Sequence, residues 1–211
     1  MRPGGVVNDT MTTPHQEHFL TPDEERMLLR IARETLVARV TEGRTLPLER
    51  YALTPTLLER HGAFVTLTVD GALRGCVGYA TNRAPLAETV RDNTINACSR
   101  DSRFAPIVAS ELPDVEIEIS AMTPGDSPDA PFRKIHDLSE IVLGRDGLWI
   151  ESASGRKGLL LPQVPEHYGW DLNQFLDALC RKAGLAPCSW NQPDVKLSRF
   201  SAQVFSESES E

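Results

Sequence analysis

Asp70-Gly71 separates two runs of residues that read as strands, and this constrains the fold more than any other feature. From Ala63 to Val69, apolar Val65, Leu67 and Val69 alternate with threonines, the pattern of a half-buried strand. Asp-Gly is a preferred two-residue hairpin turn, because both positions must take up backbone conformations that most side chains resist. The chain should therefore return antiparallel from Ala72 to Tyr79. That return strand contains Leu73-Arg74-Gly75-Cys76-Val77-Gly78, one cysteine between two glycines with an arginine two residues before it. Glycine weakens a strand unless something packs close to it or the strand bulges. A nearby guanidinium favours thiolate over thiol. The stretch marks a candidate site without naming a reaction.

The remaining elements do not follow βαβ regularity. Thr21, Pro22 and Glu24 form a capping box ahead of an apolar stripe of Met27, Leu28, Ile31, Leu36 and Val40, and Gly43 ends that helix. A helical turn is expected over 54–60, and a second helix runs from Pro85 through Cys98, where a buried, inert thiol is expected. Val115 to Ile119 alternates strictly, with its glutamates on one side facing water or a polar cleft. Residues 124–132 hold three prolines and read as a linker or lobe crossing. A second hairpin is expected from 141–143 to 148–152, around Gly144-Arg145-Asp146-Gly147. A short strand at 159–161, a helix capped by Asp171 and stopped by Gly184, and a last strand over 195–205 complete the pattern. Interleaved helices and hairpins predict an α+β fold, a mainly antiparallel sheet flanked by helices.

Composition narrows the function. The chain has 211 residues, 22 Lys and Arg against 30 Asp and Glu, and a net charge of −8, which argues against a nucleic-acid partner. The five arginines between Arg74 and Arg103 are the one local exception, either a solvated face or a dock for an acidic ligand. No apolar run approaches membrane-spanning length, and 1–18 lacks the apolar segment of a secretory signal. Residues 1–18 and the acidic tail 206–211 are expected to be disordered, leaving 19–205 as the folded part. Cys76, Cys98, Cys180 and Cys188 form no C-x-x-C pair, so no metal site is expected and a reducing cytoplasm fits. No cofactor fingerprint is present.

Taken together, the motifs resemble those of the AMMECR domain family. Leu73-Arg74-Gly75-Cys76-Val77-Gly78 is similar to its signature, differing by a valine at Val77 where isoleucine is commoner. Asp101-Ser102-Arg103-Phe104-Ala105-Pro106 resembles its D-x-R-F-x-P loop, and Gly158-Leu159-Leu160-Leu161-Pro162-Gln163-Val164 its G-L-L-L-P-Q-V segment. Trp170, Phe175-Leu176 and Lys182-Ala183-Gly184-Leu185 are similar to its closing helix. The resemblance implies a larger lobe built on an antiparallel sheet, a smaller second lobe, and an inter-lobe cleft. Bacterial and archaeal members resemble protein A of the AmmeMemoRadiSam set, which implies Memo-like and radical SAM partners but no reaction.

Two functions compete. In a binding or scaffold module the cleft holds a small molecule, peptide or partner loop, and Arg74, Gly75, Gly78, Asp101, Arg103 and Gln163 line it. In a cysteine-dependent enzyme, Cys76 is the nucleophile on an anionic substrate and His167 is the best-placed base of His61, His136 and His167. Asp101 and Arg103 read first as a loop staple and, through the planar guanidinium, alternatively as an anion clamp. Without a convincing base, metal set or cofactor motif, the binding module is favoured.

Overall fold

The computed structural model describes residues 19–125 and 131–209. The disorder expected for 1–18 and most of the proline-rich linker therefore lie outside the described residues. Helix α1 (Pro22–Glu42) starts at the expected capping box, with both reciprocal bonds between Thr21 and Glu24 present. It stops at Gly43, whose φ of 69° is the left-handed conformation glycine tolerates best. After the short α2 (Pro55–Leu58), strands β1 (Ala63–Val69) and β2 (Ala72–Tyr79) form the expected hairpin, with positive φ at both Asp70 and Gly71. Helix α3 (Leu86–Ser99) and strand β3 (Val115–Met122) follow. The second half consists of β4 (Arg133–Lys134), β5 (Asp146–Ser152), β6 (Lys157–Leu160), α4 (Val164–Tyr168), α5 (Leu172–Lys182) and β7 (Val195–Ser206).

All seven strands join one antiparallel sheet in the order β2-β1-β3-β7-β5-β6, with β4 also on β7. The fold is α+β, as expected. Strand β7 unites its halves: residues 195–201 pair with β5, and residues 202–206 pair with β3. Alternate β7 residues point to opposite faces. Val195, Leu197 and Phe205 meet the long helices, through a cluster with α5 at one end and with α1 and α3 at the other. Phe200 points the other way, to a smaller cluster with Met122 and Leu161. The long helices thus cover one face, leaving the opposite face of β2-β1-β3 to shorter segments.

Helix α5 buries Phe175, Leu176 and Leu179 completely, each contributing about 1.5–3 kcal/mol by removal from water. Trp170 and Trp190 pack at the margin of the same cluster, and Trp149 lies 5.0 Å from the Phe132 ring.

Two expectations need correction. The hairpin over 141–152 does not form: 141–143 is not a strand, and β5 pairs instead with β6 across residues 153–156. The cause is Asp146, which is fully buried. Its carboxylate accepts the Val142 N–H at 2.9 Å and meets Arg145 at 2.7 Å and Arg199 at 3.6 Å, so the Gly144 turn wraps around a charge. The acidic tail, too, begins inside the fold. Strand β7 runs through Ser206, and Glu207 pairs with Arg33 and accepts the Ile117 N–H at 3.0 Å.

Candidate functional site

The motif strand β2 is irregular where the glycines predicted. Leu67 pairs with Gly75 and Thr68 with Leu73, so Arg74 is the extra residue of a bulge. Arg74 consequently does not share a face with Cys76. Its guanidinium bonds the Glu111 carboxylate at 2.7 and 3.1 Å and the carbonyls of Ala105 and Pro106 at 2.7 and 3.3 Å. It ties the loop after α3 to the sheet and leaves the thiol alone.

Each glycine of the motif has a steric reason. A Cβ at Gly75 would lie 2.3 Å from the backbone oxygen of Ala97, so α3 rests directly on the strand there. A Cβ at Gly78 would lie 2.2 Å from the Phe64 ring.

Asp101 and Arg103 grip the outer edge of β2 at Cys76. Asp101 accepts the Cys76 N–H at 2.9 Å, and Arg103 donates to the Cys76 carbonyl at 3.1 Å. These are the two bonds a neighbouring strand would make. The side chains are themselves paired at 3.0 and 2.7 Å. The Arg103 guanidinium, against the opposing effect of burial and with help from the Cys76 N–H, holds the Asp101 carboxyl well below the usual carboxylate range.

The Cys76 side chain lies on the face opposite the long helices. It is half-buried, and Thr66 Oγ1 donates to its sulfur at 3.4 Å. Burial pushes the thiol up; the Thr66 bond and Arg103 oppose this, while Asp101 and Glu118 reinforce it. Cross-strand register explains the presence of Glu118. Thr66 is paired with Cys76 on one side and Glu118 on the other, and Glu118 is paired with Ser206. Cys76, Thr66, Glu118 and Ser206 thus form one row across four strands, each about 4.8 Å from the next.

Gln163 reaches this row from the loop between β6 and α4. Its Nε2 donates to Glu118 Oε1 at 2.9 Å and to Ser120 Oγ at 3.0 Å, while its Oε1 is buried with no hydrogen-bond partner among the described residues. Burial raises the Glu118 carboxyl above its ordinary value; the Gln163 bond opposes this, Glu209 and Glu116 add to it, and His167 opposes it again. His167 is exposed on α4, edge-on to Tyr168 at 4.8 Å. Among the described residues no hydrogen bond joins His167 to Cys76. The described residues contain no cluster of His, Cys, Asp and Glu that could hold a metal, and no helix among them is long and apolar enough to cross a membrane.

The sequence pattern of the AMMECR1 family matches residues 29–205. The chain belongs to the AMMECR1 family. Protein MJ0810 of Methanocaldococcus jannaschii is 39% identical to it over 193 residues, 90% of this chain and 94% of its own. MK0488 of Methanopyrus kandleri is 39% identical over 195 residues, covering 91% and 92%. The crystal structure of the uncharacterized protein PH0010 from Pyrococcus horikoshii matches with a TM-score of 0.82 at 34% identity, over 89% of this chain and 93% of that one.

In this AMMECR1 chain the motif residues converge on β2 and the strands beside it. Arg74, Asp101 and Arg103 anchor the backbone of β2, and Gln163 reaches the same face through Glu118. Sequence reasoning passed over Thr66, Glu118 and Ser120. The alternation of β3 showed that its glutamates share a side, but nothing local marked that side as covered.

Proposed function

We propose that this AMMECR1-family chain is a binding or scaffold module, with its ligand site on the row from Cys76 to Glu118 where Gln163 crosses from the second half of the chain. The observation that carries this reading is the state of the thiol. A nucleophilic cysteine needs a lowered pKa or a base in reach. Burial raises Cys76, its hydrogen-bond partner is a threonine, and the two nearby arginines are engaged with Glu111 and Asp101. The contact between Gln163 and Glu118 joins residues 45 apart in sequence, and it supports reading the row as the seam between two lobes. That the chain works beside Memo-like and radical SAM proteins, on a small molecule or peptide, is supported by the motif resemblance alone.

The test is the rate of Cys76 alkylation by iodoacetamide as a function of pH, in a chain carrying Cys98→Ala, Cys180→Ala and Cys188→Ala. The expected profile is slow and rises only above the ordinary thiol range. Fast labelling with a midpoint near or below neutrality would establish a poised thiolate and restore the cysteine-dependent enzyme.

A further inference from the structure

Cys180 and Cys188 flank the point where the chain doubles back on the end of helix α5. Gly184, at a φ of 70°, reverses the chain, and the Leu185 N–H bonds the Cys180 carbonyl at 2.8 Å. The Cys188 N–H then bonds the Asp177 carboxylate at 2.8 Å. Asp177 and Cys180 stand three residues apart on α5 and so share a face of the helix. Cys188 is therefore pinned against the face of α5 that carries Cys180. A short 3-10 turn, Ser189–Asn191, follows it, and the backbone N–H groups of Trp190 and Ser189 face the Cys180 sulfur. The peptide that leaves Cys188 thus abuts the Cys180 thiol. Burial pushes that thiol up; the Trp190 N–H opposes this, Asp177 adds to it, the Ser189 N–H opposes it again, and the Cys188 thiol adds to it.

The two thiols differ in access. Cys180 is fully buried, in the cluster with Phe175, Leu176 and Leu179, whereas Cys188 is exposed. Cys188 also holds a backbone conformation that suits cysteine poorly: its φ is 61°, in the left-handed region that glycine and asparagine ordinarily occupy. Asp70, in the hairpin turn, is the only other non-glycine residue at positive φ among the described residues. Nothing in the backbone favours a cysteine at 188, so its presence there points to the thiol itself. The remaining thiols are engaged elsewhere: Cys98 donates to the Ile95 carbonyl at 3.3 Å within α3, and Cys76 accepts from Thr66.

We propose that Cys180 and Cys188 form a reversible disulfide, with Cys188 meeting a low-molecular-weight disulfide from solution and Cys180 resolving the adduct. The Cys188 thiolate attacks one sulfur of the reagent and breaks its S–S bond; half the reagent stays on Cys188 and the other half leaves as a thiolate. The Cys180 thiolate then attacks the Cys188 sulfur and expels the second half. Two protein thiols are oxidised, one reagent disulfide is reduced to two thiols, and the two cysteine protons end on those leaving thiols. A reducing compartment keeps the pair as thiols, and a rise in disulfide closes it. The bond ties the end of α5 to the turn that leads into β7, and it is independent of the row at Cys76.

The experiment uses the full chain, reduced, freed of reductant and incubated with glutathione disulfide at neutral pH. Free thiols are then capped with N-ethylmaleimide and the chain is digested with trypsin. Cleavage after Arg181 and Lys182 separates the two cysteines, so the bond appears as a joined pair of peptides that reductant parts. That pair should be the main oxidised product, with the capped thiols falling from four to two. Cys180→Ser should stop at the mixed disulfide on Cys188. Cys188→Ser should slow oxidation of the chain by about tenfold or more, because the thiols left are buried or half-buried. Both variants should keep the circular dichroism of the native chain. A mixed disulfide on Cys188 that persists in the native chain, a bond from Cys188 to Cys76, Cys98 or a second copy, or a Cys180–Cys188 bond that forms only in urea would overturn the inference.

Discussion

Replacing Asp101 should loosen the edge of β2 and destabilise the protein by a measurable amount. The carboxyl is only 6% exposed and accepts the Cys76 N–H at 2.9 Å, the Arg103 N–H at 3.1 Å, and two guanidinium bonds at 3.0 and 2.7 Å. A hydrogen bond to a charged group contributes about 1.5–3 kcal/mol. Arg103 is 49% exposed, so water can replace most of its share, which we set at about 1 kcal/mol or less. Asp101→Ala should therefore cost about 2–4 kcal/mol. The pH dependence follows from the depressed carboxyl. Its stabilisation is fully present above the ordinary carboxyl pKa of about 3.9 and is lost as pH falls towards the lower folded value. Urea unfolding at pH 7 should show the full deficit, and the gap to the native chain should narrow below about pH 4. Hydrogen exchange at the Cys76 amide should accelerate in the variant. In a double-mutant cycle, Arg103→Gln should couple to Asp101→Ala by about 1 kcal/mol. A deficit below about 0.5 kcal/mol with unchanged Cys76 exchange would refute the claim that this pair holds the strand.

The glycines and the buried acid give two further predictions. Gly75→Ala would set a methyl 2.3 Å from the Ala97 carbonyl oxygen, and backbone cannot rotate away. The cost should be about 3 kcal/mol in chemical unfolding, at the upper end for overpacking; a change within about 0.5 kcal/mol would show that α3 does not rest on the strand. Asp146→Asn removes a fully buried charge from Val142, Arg145 and Arg199 and should cost about 3–5 kcal/mol. Its exchange protection should fall at Val142 before it falls in β1, and uniform loss across the sheet would argue against a local role.

What the sequence made legible was what short-range chemistry decides. Thr21 with Glu24, Asp70 with Gly71, and Asp171 with Gln174 each act within four residues, and each element boundary falls where those residues place it. The expected hairpin at Gly144 failed because Asp146 answers to Arg199, which is 53 residues away and carries no local signal. The Arg74 bulge was invisible for a related reason: an extra residue exists only relative to the partner strand. That bulge changes the meaning of the motif. Arg74 turns to the loop at Ala105, Gly75 admits α3, Val77 packs into the core, and Gly78 makes room for Phe64. Four of the six residues are thereby accounted for by packing and anchoring, and the exposed Leu73 by neither. What remains is the Cys76 side chain, aimed along a row at Thr66 and Glu118. The company that makes the cysteine conspicuous in sequence holds its backbone, and burial raises both its thiol and the Glu118 carboxyl two strands away on the same face.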